Sequence, residues 1–304
     1  MAKIKSVEVK TPAKVNLALK VGGLSDDGYH PIETLFHAVG IYDTIVARSS
    51  SHLEIEFSGE GAESLPLNNS NLVWQAAELI AKYVDVEPNV HIAVHKNIPI
   101  AGGMAGGSAD AAGTLVALDA LWQLDLKKEE LLSLAAQLGS DISFPLVGGT
   151  AIGRGRGEDV TSLLTRGDIH WVFAVSSEGL STPKIYRVFD EMHPNPEAPV
   201  VPTDLVAALV SGDIKTAAKL MINDLQAPAI SQRPVLAKII TEGIHGGALH
   251  GIVSGSGPTC AFIAKSHESA LEIAHQLQIS GFVERTILGV GPVKAAHVTQ
   301  INYF

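Results

Sequence analysis

Apolar and polar positions alternate along some stretches of this chain and recur every three to four residues along others, which divides it into strands and helices. Val7 to Val21 alternates loosely around Pro12 and predicts two short strands. Leu53, Ile55 and Phe57 predict a half-buried strand, and Val90, Ile92 and Val94 another that ends at Pro99. Asn71 to Val84 places Val73, Ala76, Ala77, Ile80 and Val84 on one helical face. Helices are also expected over 111–122 and 127–138, the latter closed by Gly139. Gly148 to Gly157 reads as a glycine-dense loop, and Ile169 to Val175 as an apolar strand. The second half is richer in helix, expected over 183–192, 204–210, 214–225, 234–244 and 268–277. Residues 193–202 carry four prolines and read as a surface connection. Ile252-Val253 and Cys260 to Ile263 are short strands joined by Ser254-Gly255-Ser256-Gly257-Pro258. Strands and helices mixed in this order imply an α+β fold. A soft boundary near residue 160 gives domains of 1–160 and 161–304.

Composition narrows the function. The chain has 304 residues, 46% apolar, which is enough for a sizeable core and one or two domains. A net charge of -10 argues against nucleic acid or an anionic membrane as the main partner. No transmembrane helix is expected. A single cysteine, Cys260, permits no intramolecular disulfide. Together with the absence of a signal-peptide pattern, it leads to an expected cytoplasmic location. The 29 glycines imply backbone that approaches something closely.

The densest glycine run is Ala101-Gly102-Gly103-Met104-Ala105-Gly106-Gly107-Ser108-Ala109-Asp110, between a strand and a helix. That arrangement offers free backbone N–H groups and a helix N-terminus to an anion. It is neither a Walker A loop, since no lysine lies between Lys96 and Lys127, nor a G-x-G-x-x-G fingerprint. A tight turn with close helix–strand packing is the bland alternative. Ser108 either caps the helix or meets a phosphate-bound magnesium.

Lys96 to Ala112, which contains this run, resembles the phosphate-binding motif of the GHMP kinases. Pro12-Ala13-Lys14-Val15-Asn16-Leu17, Asp27 to Thr34, Gly139 to Pro145 and Ile252 to Thr259 resemble other segments of the same superfamily, in the expected order. Gly28-Tyr29-His30 with Gly139-Ser140-Asp141 is most similar to the branch whose acceptor is a cytidine diphosphate alcohol of non-mevalonate isoprenoid synthesis. Many superfamily members carry Gly-Leu-Gly-Ser-Ser where this chain has Gly103-Met104-Ala105-Gly106-Gly107-Ser108, which weakens any role for an earlier serine.

The resemblance implies a two-domain GHMP kinase fold, with an N-terminal ribosomal-protein-S5-like domain and a C-terminal ferredoxin-like domain. It implies ATP and Mg2+ as cofactors, a small-molecule acceptor, and a monomer or weak homodimer. It makes Asp141 the general base and Lys14 its cationic neighbour. It gives ATP to Pro99, Ile100, Ala101, Gly102, Gly103, Met104, Ala105, Gly106, Gly107, Ser108 and Ala109, with Asn71 near the adenine. Asn71 reads equally well as a helix cap. The acceptor goes to Asn16, Tyr29, His30, Thr182 and Tyr186, the two tyrosines stacking on the base. Rival readings are a homoserine or mevalonate kinase, or a non-catalytic nucleotide sensor on the same scaffold. His91 and His95 share a strand face without a third metal ligand. Arg154 and Arg156 belong to a glycine-rich loop near the expected substrate.

Overall fold

A computed structural model describes residues 3–100, 102–176 and 178–304. The chain opens with two long strands, β1 (Ile4–Val21) and β2 (Ile32–Ser49), followed by β3 (Glu54–Gly59), α1 (Leu72–Tyr83) and β4 (Val90–Lys96). Then come α2 (Gly106–Trp122), α3 (Lys128–Leu138), α4 (Ser143–Val147), β5 (Thr150–Arg154), β6 (Asp159–Leu163) and β7 (Ile169–Val175). The second half holds α5 (Thr182–Met192), α6 (Thr203–Ser211), α7 (Ile214–Leu220), β8 (Ile222–Asn223), α8 (Gln226–Gln232) and α9 (Val235–His245). It ends with β9 (His250–Val253), β10 (Cys260–Ala264), α10 (His267–Ile279), β11 (Arg285–Gly291) and β12 (His297–Tyr303).

Two sheets result. The first runs β12-β1-β2-β4-β3, with β5 and β8 added alongside β2 and β1, and β6 beside β5. The second runs β11-β7-β10-β9 and is antiparallel throughout. The last strand of the chain thus returns to the first sheet, and the expected boundary near 160 falls inside β6. Helices α1 and α2 cover one face of the first sheet, with α3 packed on them, over a core that includes Ile45, Ile80, Ile92 and Leu115. A second core joins β1 and β2 to β7 through Val15, Leu17, Val39, Trp171 and Phe173. The third packs the second sheet against α5, α8, α9 and α10, and encloses Cys260. Burial pushes the Cys260 thiol up to about 12, so it is an inert packing group. Among the described residues no helix is long and apolar enough to cross a membrane.

Four expectations are corrected. The segment around Pro12 is one strand, since the pairing slips between Pro12 and Ala13, where β2 bulges past it. The β12 partner stops at Lys10, so Pro12 interrupts no ladder on that side. The loop expected over 148–157 contains strand β5, which pairs with β2 and β6. The helix expected over 214–225 ends at Leu220 and gives way to β8. A helix expected to start at 111 begins five residues earlier, at Gly106.

Candidate active site

A cleft of about 1060 Å³ lies between the first sheet, the start of α2 and the start of α5. Its floor is laid by β1. Lys14 and Asn16 are two residues apart on one strand face, and the Lys14 ammonium donates to Asn16 Oδ1 at 2.8 Å. Asn16 in turn donates to Thr34 Oγ1 at 2.7 Å, and Thr34 to the Ala18 carbonyl. Asp141, on the turn between α3 and α4, brings its Oδ2 to 3.6 Å from Lys14 Nζ. Lys14 is buried, whereas Asp141 keeps about a third of its side chain open to the cleft. A carboxylate is therefore presented to the cleft with a fixed cation beside it.

One end of the cleft is a backbone cradle. Helix α2 has Ala105 at its N-cap in left-handed geometry (φ 57°), and no side chain caps the helix start. The first N–H groups of α2 therefore remain available to a ligand. Gly102, Gly103, Ala105, Gly106, Gly107 and Ser108 line the cleft there, with Pro99. Gly103 has φ +75°, and a Cβ on it would lie 2.1 Å from the Ser254 carbonyl oxygen. Ser254 Oγ donates back to the Gly103 carbonyl at 3.0 Å, so the Ser254 to Gly257 turn packs directly on this loop. Met104 and Ala109 point into the core and Ile100 lies off the cleft. Ala101 is outside the described residues. Asn71 accepts from the Val73 N–H at 2.9 Å and donates to the Pro66 carbonyl, so its side chain caps α1.

Another part of the lining is aromatic. Tyr29, His30 and Tyr186 all line it. The His30 and Tyr186 ring centroids are 4.9 Å apart, and His30 Nε2 pairs with Asp190 Oδ1 at 2.7 Å. Burial, with the nearby Asp141 charge, raises the Tyr186 phenol, which stays protonated. Thr182, at the start of α5, shares a 2.8 Å hydrogen bond with Ser256 and ties α5 to the Ser254 to Gly257 turn.

Beneath the cradle lies a polar cluster that the sequence pattern concealed. Lys96 is 2% exposed, yet it donates to Asp110 Oδ2 at 2.6 Å and pairs closely with Asp43. Asp43 Oδ1 accepts the Asn97 and Ile98 N–H groups at 2.6 and 2.8 Å. Strand β2, the end of β4 and the first turn of α2 are thereby pinned together on both sides of the glycine loop. Burial first, and the neighbouring Asp43 charge, hold the Asp110 carboxyl well above the usual range, against the pull of Lys96. Lys96 and Asp110 flank the glycine loop 14 residues apart, but their meeting with Asp43, 53 residues before Lys96, leaves no pattern in the sequence. Among the described residues no group of three or more His, Cys, Asp and Glu side chains is placed to hold a metal.

Comparison with known proteins identifies the family and the fold. The profile for the GHMP kinases N terminal domain matches residues 71–149, and that for GHMP kinases C terminal matches residues 205–282. The 4-diphosphocytidyl-2-C-methyl-D-erythritol kinase of Mycolicibacterium smegmatis is 50% identical over 297 residues, covering 96% of this chain and 92% of its own. That of Rhodococcus jostii is 48% identical over 294 residues, covering 96% and 94%. A crystal structure of 4-(cytidine 5'-diphospho)-2C-methyl-D-erythritol kinase superposes with a TM-score of 0.77 at 29% identity, over 93% of this chain and 98% of its own. A homoserine kinase from Cytophaga hutchinsonii shares the fold at 18% identity, with a TM-score of 0.78 over 97% of each chain.

Proposed function

This chain belongs to the GHMP kinases, and from that premise we propose that it phosphorylates 4-diphosphocytidyl-2-C-methyl-D-erythritol with ATP at the 2-hydroxyl. The observation that carries the reading is that one cleft is lined by the Lys14–Asp141 pair, an uncapped helix start and a cluster of aromatic side chains. A donor of phosphate fits the helix start and a pyrimidine the aromatic cluster.

In this reading the α2 N–H groups and the glycine loop hold the ATP phosphates. Tyr29 and Tyr186 offer faces to the cytosine, with His30 at its edge. Asn16 and Thr182 contact the rest of the acceptor. Asp141 takes the proton of the 2-hydroxyl while its oxygen bonds to the γ-phosphorus and the bond to the β–γ bridging oxygen breaks. Lys14, 3.6 Å from Asp141 Oδ2, offsets charge on the transferred group. Asn16 fixes the lysine by accepting from it. The Ser108 hydroxyl at the start of α2 would suit Mg2+ held mainly by the nucleotide. Mg2+ supplies neutralisation of phosphate charge. We assign the chain to the cytoplasm, where a buried free thiol such as Cys260 persists.

The test is ADP release by the purified full chain with Mg2+, offered the diphosphocytidyl alcohol, mevalonate or homoserine. Turnover on the first alone is expected. Turnover on mevalonate or homoserine, with none on the first, overturns the assignment.

A further inference from the structure

Tyr29 is 54% exposed on a turn with Gly28 at φ +82°, a poor mount for a ring that must stay still to stack. Two contacts hold it. Asp27 Oδ1 accepts the Tyr29 backbone N–H at 3.0 Å. The other oxygen, Asp27 Oδ2, takes the Arg156 guanidinium at 2.9 Å. That guanidinium lies over the Tyr29 ring, 3.8 Å from its centroid. One carboxylate thus fixes the backbone of the tyrosine and the cation that covers its ring. The Tyr29 N–H first, and Arg156 second, hold the Asp27 carboxyl below its usual range.

Arg156 has its own support from the adjoining turn. Its backbone N–H donates to Glu158 Oε2 at 2.7 Å, and Gly157 N–H closes the turn on the Arg154 carbonyl. Ile32 N–H donates to the Gly155 carbonyl at 2.7 Å, which joins the two loops across the mouth of the cleft. Arg156 itself lines the cleft.

We propose that Arg156, anchored by Asp27, is a positioning and specificity residue for the cytidine end of the acceptor. It covers one face of Tyr29 and leaves the other as the stacking surface. It freezes the ring before the base arrives, which removes an ordering cost from binding. It also sets a cation in the cleft that takes a diphosphate ester. The inference rests on the reading of Tyr29 as a base-stacking residue.

The test compares Arg156→Ala, Arg156→Lys, Asp27→Asn and Tyr29→Ala in the full chain. The readouts are KM for each substrate, kcat, and direct binding of cytidine diphosphate. A cation over an exposed ring together with its ion pair is worth about fivefold to tenfold in affinity. Arg156→Ala should therefore raise KM for the diphosphocytidyl alcohol and weaken cytidine diphosphate binding by about that factor. KM for ATP and kcat should stay within about twofold, because removing binding common to ground and transition states moves KM alone. Arg156→Lys should recover part of the loss, since it keeps the charge without the planar face. Asp27→Asn should resemble Arg156→Ala, and the double variant should lose little more than either. All three residues concerned are at the surface, so thermal unfolding should barely change. If Tyr29→Ala raises the acceptor KM and Arg156→Ala does not, the proposal is overturned and the reading of the cleft stands. If Tyr29→Ala itself leaves KM unchanged, the stacking reading fails, and the role of Arg156 falls with it. An Arg156→Ala variant that raises KM for ATP equally marks a structural role and also overturns the proposal.

Discussion

Replacing Lys96 by Met keeps most of its volume and removes its charge from a site where Asp43 and Asp110 are both buried. The wild-type ammonium lies 2.6 Å from Asp110 Oδ2 and also pairs with Asp43, while Asp110 Oδ1 has no hydrogen-bond partner. The variant therefore leaves two carboxyl groups without their cation. Breaking a buried pair by removing one partner costs about 3–5 kcal/mol, a large share of the ~5–15 kcal/mol that holds a typical domain together. The cost depends on pH. With the lysine gone, the buried Asp110 carboxyl gains stability by staying protonated in the fold. A group whose folded pKa lies above its ordinary 3.8 contributes stability that is complete below that value and is lost as pH rises. Urea unfolding at pH 5 and pH 8 should show a lower midpoint than wild type at both, with the wider gap at pH 8. Adding Asp110→Asn to Lys96→Met should restore part of the loss by removing one stranded charge. A deficit below about 1 kcal/mol, or one that does not move with pH, would refute the view that this cluster clamps the glycine loop.

Two further outcomes test the structure. Burial depresses the His37 imidazole to about 4, against a weaker opposing contact with the Gly291 backbone, so the folded chain holds it neutral. The stability this gives is present above pH 6.5 and is lost as pH falls towards 4. The 2.5-unit difference corresponds to about 3 kcal/mol, and His37→Gln should flatten that part of the pH–stability curve. Asn71→Ala should cost about 1 kcal/mol through loss of the α1 cap, whereas Asn71→Asp should cost little because it keeps the acceptor. A KM for ATP that rises in Asn71→Asp would place the adenine against this side chain as well.

The sequence reading located elements best where one face alone is buried. Leu53, Ile55 and Phe57, and Val90, Ile92 and Val94, alternate because their strands are covered mainly on one side. Strand β2 shows no such period. Residues 34–39 are all buried, Thr34 and His37 among them, so apolar and polar positions do not alternate there. Pro12 pointed to a break because proline has no N–H to donate, but the register slip beside it makes that N–H unnecessary. β11 and β12 lie at sheet edges, where half-exposed residues blur the pattern. Lys14, Asp141 and the glycine loop drew attention because each lies in a short segment that resembles a motif of the family, although Lys14 and Asp141 themselves meet only in the fold. Asp43, Lys96 and Asp110, or Asp27 and Arg156, meet only through tertiary folding. Spacing along the chain carries no trace of such encounters.

The most direct test of the central claim is the turnover of Asp141→Asn with ATP and the diphosphocytidyl alcohol, with ATP binding measured on the same preparation. Asparagine keeps the shape and takes no proton. If Asp141 receives the hydroxyl proton, kcat should fall by about 10²–10⁴-fold while ATP affinity stays near the wild-type value. A kcat within a few-fold of wild type would contradict the account.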